Sequence, residues 1–168
     1  TVALPEEEQK IRPDLRQALS INQLQIPVLR QRIEDIVPLF MKYLISLTKS
    51  KKIQSVTEKM ERLLVTYTWP GNVTELRTVS IKYVKMLEQS SYRTAEWRYE
   101  CLIKSIGEKN IIEAIRSMYP YSDGAKAENN EQLRKRIEKV KDLLGYTNEK
   151  IADLLAVSRT TVWRIMKK

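Results

Sequence analysis

The segment VSRTTVWRIMKK places Arg159, Thr160, Thr161, Trp163, Arg164, Lys167 and Lys168 where one short helix would gather hydrogen-bond donors and positive charge on a single face. The chemistry available to such a face is recognition rather than bond making. Arginine can donate two parallel hydrogen bonds to a guanine edge, threonine can serve a base or a phosphate, and lysine meets phosphate as a point charge. Arg159, Thr161 and Arg164 are the candidate base readers. Lys167, Lys168 and Lys150 are the candidate phosphate contacts, and Trp163 suits either packing or sugar-phosphate contact. Ser158 precedes the helix as its candidate N-cap and belongs to the same DNA-facing set.

Other chemistries find few residues to work with. The 168 residues hold no histidine and one cysteine, so neither a Ser-His-Asp or Cys-His nucleophile pair nor a Cys/His zinc site can be assembled. Cys101, among Trp97, Leu102 and Ile106, reads as a small buried hydrophobe. No GxxxxGK[ST] phosphate loop and no paired-acid strand for Mg²⁺ occur, so this chain is not expected to hydrolyse ATP or to carry a cofactor or metal of its own. Lys and Arg together number 30 against 21 Asp and Glu, giving +9, which suggests an anionic partner. Residues 126 to 168 carry eleven basic and six acidic side chains, more than half of that excess. No apolar run approaches the roughly 18 residues of a membrane span, and nothing resembles a signal peptide. The expectation is a cytoplasmic protein with no membrane partner.

Positioning these residues requires helices. Four glycines, little β-branched alternation and repeated apolar spacing at three and four predict an all-α chain. In NEKIADLLAVSRTTVWRIMK, Ile151, Leu155, Val157, Val162 and Ile165 suit the shared core of a helix-turn-helix, and Ala152 is small at the crossing. Ala156 takes the turn, where a positive φ would cost alanine about 1 kcal/mol relative to glycine. Upstream, Ile36, Phe40, Tyr43, Leu44 and Leu47 predict a helix over 34–49. Ser55 with Glu58, and Asn72 with Glu75, have capping-box spacing before two more helices. One or two helices follow over 94–119, broken near Gly107. Residues 120–130 read as a linker, and Asn129 with Gln132 would cap a helix bearing Leu133, Ile137, Val140 and Leu144. That stripe is the candidate dimerisation surface, since one helix-turn-helix reads few base pairs and a palindromic duplex site calls for a homodimer. At the other end, Leu24 and Ile26 alternate like a strand that would need a sheet from a larger α/β domain.

VSRTTVWRIMKK closely resembles the Fis-type helix-turn-helix of bacterial enhancer-binding activators. IRPDLRQALS, LQIPVLRQRIEDI and YTWPGNVTELR resemble the AAA+ domain of sigma-54-dependent transcriptional regulators, particularly those like the propionate-catabolism regulator. The resemblance implies four segments: 1–28, the edge of an AAA+ α/β core; 29–90, its helical lid; 91–130, a helical connector and linker; and 131–168, the DNA-binding helices. It further implies an ATP- and Mg-dependent parent acting with an RNA polymerase sigma factor through parts outside this chain, as a higher ring. In that family the arginine of WPGN-x-x-E-L-R contacts nucleotide phosphates in sensor-II fashion. Here it is Arg77, which the residues without the motif would sooner read as a surface arginine paired with Glu75 or a backbone carbonyl. Arg12 matches the first arginine presented to a neighbouring subunit's ATP; the second position holds Ala18, with Arg16 half a turn away. A different class of function, assembly of a ring through the lid with DNA contact incidental, would show itself as salt-insensitive self-association. Regulation with another sigma factor is a further alternative.

Overall fold

The computed structural model describes residues 26–48, 55–89, 94–120 and 126–167; among these the chain is all-α, with eight α-helices and no strand. Arg12, Ala18 and Lys168 lie outside the described residues. So does the strand-like segment apart from Ile26, which is 66% exposed and in no regular element.

Two 3-10 turns, Leu29–Gln31 and Ile33–Asp35, lead into α1, Ile36–Leu47, which buries Ile36, Phe40 and Leu44 at intervals of four. The regular helix therefore starts two residues later than Glu34. Pro38 falls in its first turn, where a missing N–H is harmless. Helix α2, Glu58–Thr66, is capped by Thr57, whose hydroxyl accepts from the Met60 N–H. This corrects the expected Ser55 cap: Thr57 holds the extended conformation that a cap needs, and the Ser55 carbonyl instead accepts from Arg98 at 3.0 Å. Helix α3, Asn72–Glu88, buries Leu76, Val79, Tyr83 and Val84 and lies between α1 and the next helix. Phe40 of α1 meets Tyr83 of α3 with ring centroids 5.6 Å apart.

Helices α4, Ala95–Ile106, and α5, Glu108–Met118, are separated by Gly107, whose φ of 97° only glycine adopts without strain. Cys101 is buried, and desolvation pushes its thiol above the ordinary value, as expected of a packing residue. Buried hydroxyls are satisfied locally: Ser80 donates to the Leu76 carbonyl and Ser105 to that of Cys101.

Helix α6 runs Lys126–Leu144 and so begins before Asn129, which lies inside the helix rather than capping it. It packs on α5 and α2, and also on α7, Asn148–Leu155, and α8, Arg159–Met166. Leu133, Ile137, Val140 and Leu144 are at most 8% exposed and belong to one core that runs from Leu29 to Ile165. This corrects their assignment as a dimerisation surface. The stripe is apolar because it is covered by the chain's own helices, leaving nothing there for a second copy to bury.

Candidate nucleic-acid interface

The corner between α7 and α8 is built by backbone groups and one hydroxyl. Thr147 caps α7 through the Lys150 N–H. At the other end Ala156 sits at φ 57°, ψ 41°, with the Val157 N–H donating to the Ala152 carbonyl and the Ala156 N–H to that of Asp153. This is a Schellman closure with alanine in the left-handed position that glycine usually fills. Ser158 then caps α8, its Oγ accepting from the Thr161 N–H at 3.1 Å, with the Thr160 and Thr161 hydroxyls 2.8 and 2.7 Å away.

Val162 and Ile165 turn inward, 0% and 7% exposed. At 100° per residue, Arg159, Trp163, Lys167, Thr160 and Arg164 fall in that angular order on an arc of about 140°, and all five are exposed. Thr161 lies beyond this arc and is half-buried. Trp163, which could have packed, is instead 59% exposed, and the Lys167 ammonium stands 4.3 Å from its ring centroid. A helix of roughly 10–12 Å diameter fits a DNA major groove about 12 Å wide, so this arc can be presented to base edges.

Two residues are engaged elsewhere in the chain. Arg159 pairs with Glu149 of α7 at 3.1 Å, but both side chains are about two-thirds exposed, and such a pair yields readily to a stronger acceptor. Lys150 faces neighbours outside α8: its ammonium is 3.4 Å from the Tyr146 ring centroid and 3.4 Å from Glu108 Oε1. Hydrogen bonding to Tyr146 is the main cause that raises the Lys150 pKa. Glu149, Tyr146 and Glu108 were not singled out from the sequence, and the 42 positions between Glu108 and Lys150 carry no local signal that could pair them.

A second, differently built corner joins α2 to α3. The Trp69 indole donates to the Leu64 carbonyl at 2.8 Å in a buried site, and the Tyr67 and Trp69 rings meet edge to face at 5.0 Å. Asn72, at φ 55°, accepts from the Leu29 N–H at 2.8 Å; it is the first residue of α3 rather than its cap, which corrects the expected box. Glu75 nevertheless reaches back, accepting from the Gly71 N–H at 2.8 Å and from the Tyr67 hydroxyl at 2.7 Å. A Cβ on Gly71 would lie 2.7 Å from that of Glu75, which explains glycine there. Burial, with the Glu75 hydrogen bond second, pushes the Tyr67 phenol well above its ordinary value. Both oxygens of Glu75 are engaged by Tyr67 and Gly71, and Arg77 is exposed at the edge of the buried stripe.

Residues 30–105 match the AAA+ ATPase lid domain family. The chain is 29% identical to the DNA-binding transcriptional activator HyfR of Escherichia coli over 172 residues, which is 96% of this chain and 25% of that protein. It is 34% identical over 80 residues to the pathogenicity locus probable regulatory protein HrpS of Pseudomonas savastanoi pv. phaseolicola, 46% of this chain and 26% of that one. Against the Nif-specific regulatory protein of Enterobacter agglomerans the figure is 36% over 87 residues, 51% and 15% of the two chains. This chain thus spans about a quarter or less of these relatives. No solved structure matches. Among the described residues no helix is long and apolar enough to cross a membrane.

Proposed function

We propose, on the premise that this chain belongs with the sigma-54-dependent transcriptional regulators and carries their AAA+ lid, that α7 and α8 form a helix-turn-helix that reads double-stranded DNA. The observation that carries this reading is the exposed arc of Arg159, Thr160, Trp163, Arg164 and Lys167 on a helix whose other side is buried. Arg164 and Arg159 read base edges, with Thr161 beside the cap, while Lys167, and Lys168 beyond the described residues, neutralise phosphates. Glu149 releases Arg159 when a base or phosphate replaces it. One such helix reads few base pairs, so two copies on a palindromic site provide the specificity, paired through a surface other than the buried Leu133 stripe.

In the whole protein the lid carries Arg77 to the phosphates of ATP, and Arg12 reaches a neighbouring subunit's nucleotide. Magnesium binding and sigma-factor contact come from residues outside this chain. Arg77 is suited to the first role because its guanidinium is exposed and Glu75 is occupied by Tyr67 and Gly71. By itself the chain binds nucleotide feebly at most and does not turn it over.

Selection of bound fragments from a random duplex pool near physiological salt, with Arg164→Ala in parallel, tests the reading. A two-fold-symmetric motif that weakens with Arg164→Ala supports it. No enrichment, together with self-association indifferent to salt, would move the function to ring assembly.

A further inference from the structure

The DNA-reading corner is joined to the helices that precede it by more than the peptide chain. Helix α5 is tied to α7 at both of its ends. In its first turn Glu108 Oε1 lies 3.4 Å from the Lys150 ammonium, which itself covers the Tyr146 ring. Near its last turn the Arg116 guanidinium donates to the Leu154 carbonyl at 2.8 Å in a part-buried site. That carbonyl is one of the four at the end of α7 that no N–H of the helix can reach. Two of the others, Ala152 and Asp153, are taken by the Schellman closure, which forms the turn into α8 by itself, and Arg116 takes a third from outside the corner. The same end of α5 is gripped from α6. Arg136 donates through Nε to the Tyr119 carbonyl at 2.7 Å and through a terminal nitrogen to that of Arg116 at 3.1 Å. Further along, the Tyr99 hydroxyl of α4 donates to the Leu143 carbonyl of α6, and Arg62 of α2 faces Asp142 at 3.6 Å.

The packing of α7 and α8 on α6 alone would let the pair pivot about that contact; two further attachments some 12 Å apart along α5 prevent it, given 1.5 Å of rise over the eight residues from 108 to 116. We propose that Glu108 and Arg116 are positioning residues for DNA recognition. They fix α7, and through it the arginine arc of α8, in one orientation on the connector helix α5, which packs on α4 and shares the core of the lid helices, so the two DNA-reading helices travel with that body and are not a tethered module. The functional part rests on the DNA-reading assignment above. Its consequence is geometric. The separation of two half-sites that a pair of copies can span is set by the helices before α6, and inserting one base pair, which turns the second half-site by roughly 34°, is not absorbed by a swinging linker.

Residual dipolar couplings on the whole chain test the attachment without DNA. In the wild type one alignment tensor is expected to fit helices α1 to α4 and helices α7 and α8 together. In the Glu108→Gln, Arg116→Gln double variant two tensors are needed, while the couplings within each unit stay mutually consistent; Arg116→Lys, which keeps one donor toward Leu154, restores the single tensor. With the selected duplex, one- and two-base-pair insertions between half-sites weaken wild-type binding by about tenfold or more. The double variant tolerates them, while its affinity for an isolated half-site stays within about twofold. A loss of helix packing alone would lower both affinities and would not widen the tolerated spacing. Two tensors already present in the wild type, which needs no variant to fold, would overturn the proposal. So would a double variant with one tensor and unchanged spacing preference. A single wild-type tensor combined with no selected motif would sink the DNA reading and leave the fixed attachment standing.

Discussion

The corner at Trp69 to Asn72 and the corner at Ala156 to Ser158 both join two helices, yet they use their polar groups in opposite ways. In the first, an indole, a carboxamide, a carboxylate and a phenol are turned inward to fix the turn, and one guanidinium, that of Arg77, is left outward. In the second, the turn is closed by backbone N–H groups and a single serine, with Arg116 of α5 on the Leu154 carbonyl, and five side chains of α8 are left outward. The second corner leaves most of its side-chain donors free of its own scaffold, Arg159 on the exposed Glu149 being the exception, whereas the first spends its polar groups on fixing the turn.

The contrast can be broken at several points. Trp69→Ala removes a ring that is 3% exposed together with its bond to the Leu64 carbonyl, and a loss of about 3–5 kcal/mol is expected by denaturant unfolding. A loss below 1 kcal/mol would mean the first corner is not held by its side chains. Ser158→Ala is expected to cost about 1 kcal/mol, the value of one cap. It should also lower DNA affinity, because α8 loses the start that orients Arg159. Ala156→Gly should stabilise by about 1 kcal/mol or slightly less by relieving a left-handed alanine. Destabilisation there would show that the alanine methyl makes a contact worth more than its strain. A further test concerns pH. Burial pushes the Tyr83 and Tyr99 phenols up to about 12, so the stability they confer is complete below the unfolded value near 10 and is lost as pH rises toward 12. Thermal unfolding monitored with tyrosine absorbance should therefore show the melting temperature falling above pH 10.

How much of this was written in the sequence differs between the two corners in the same sense. The second corner was legible because its requirements are local: a residue able to sit at positive φ, a cap two positions later, and apolar positions at helical spacing. Ala156, Ser158, Val162 and Ile165 meet these as read. In the first, the motif stood out, but its wiring did not. Asn72 looked like a cap and instead reaches 43 positions back to Leu29, and Ser55 had the spacing of a cap while Thr57 has the backbone conformation. The stripe on α6 was read as a face for a second copy because an apolar face states only that something covers it; the cover is the chain's own α5, α2, α7 and α8. The α5 attachments join residues 38 and 42 positions apart, and no period or motif encodes a bond of that kind.

The central claim is that the outward arc of α8 reads sequence. The most direct measurement is the salt dependence of binding to the selected duplex and to a random one, for wild type, Arg164→Ala and Lys167→Ala. The account predicts that Arg164→Ala loses about 1–3 kcal/mol on the selected duplex alone, whereas Lys167→Ala weakens both duplexes alike and lowers the salt slope by about 1. If Arg164→Ala behaved as Lys167→Ala does, with equal losses on both duplexes, the arc would be a phosphate surface without sequence preference and the claim would be contradicted.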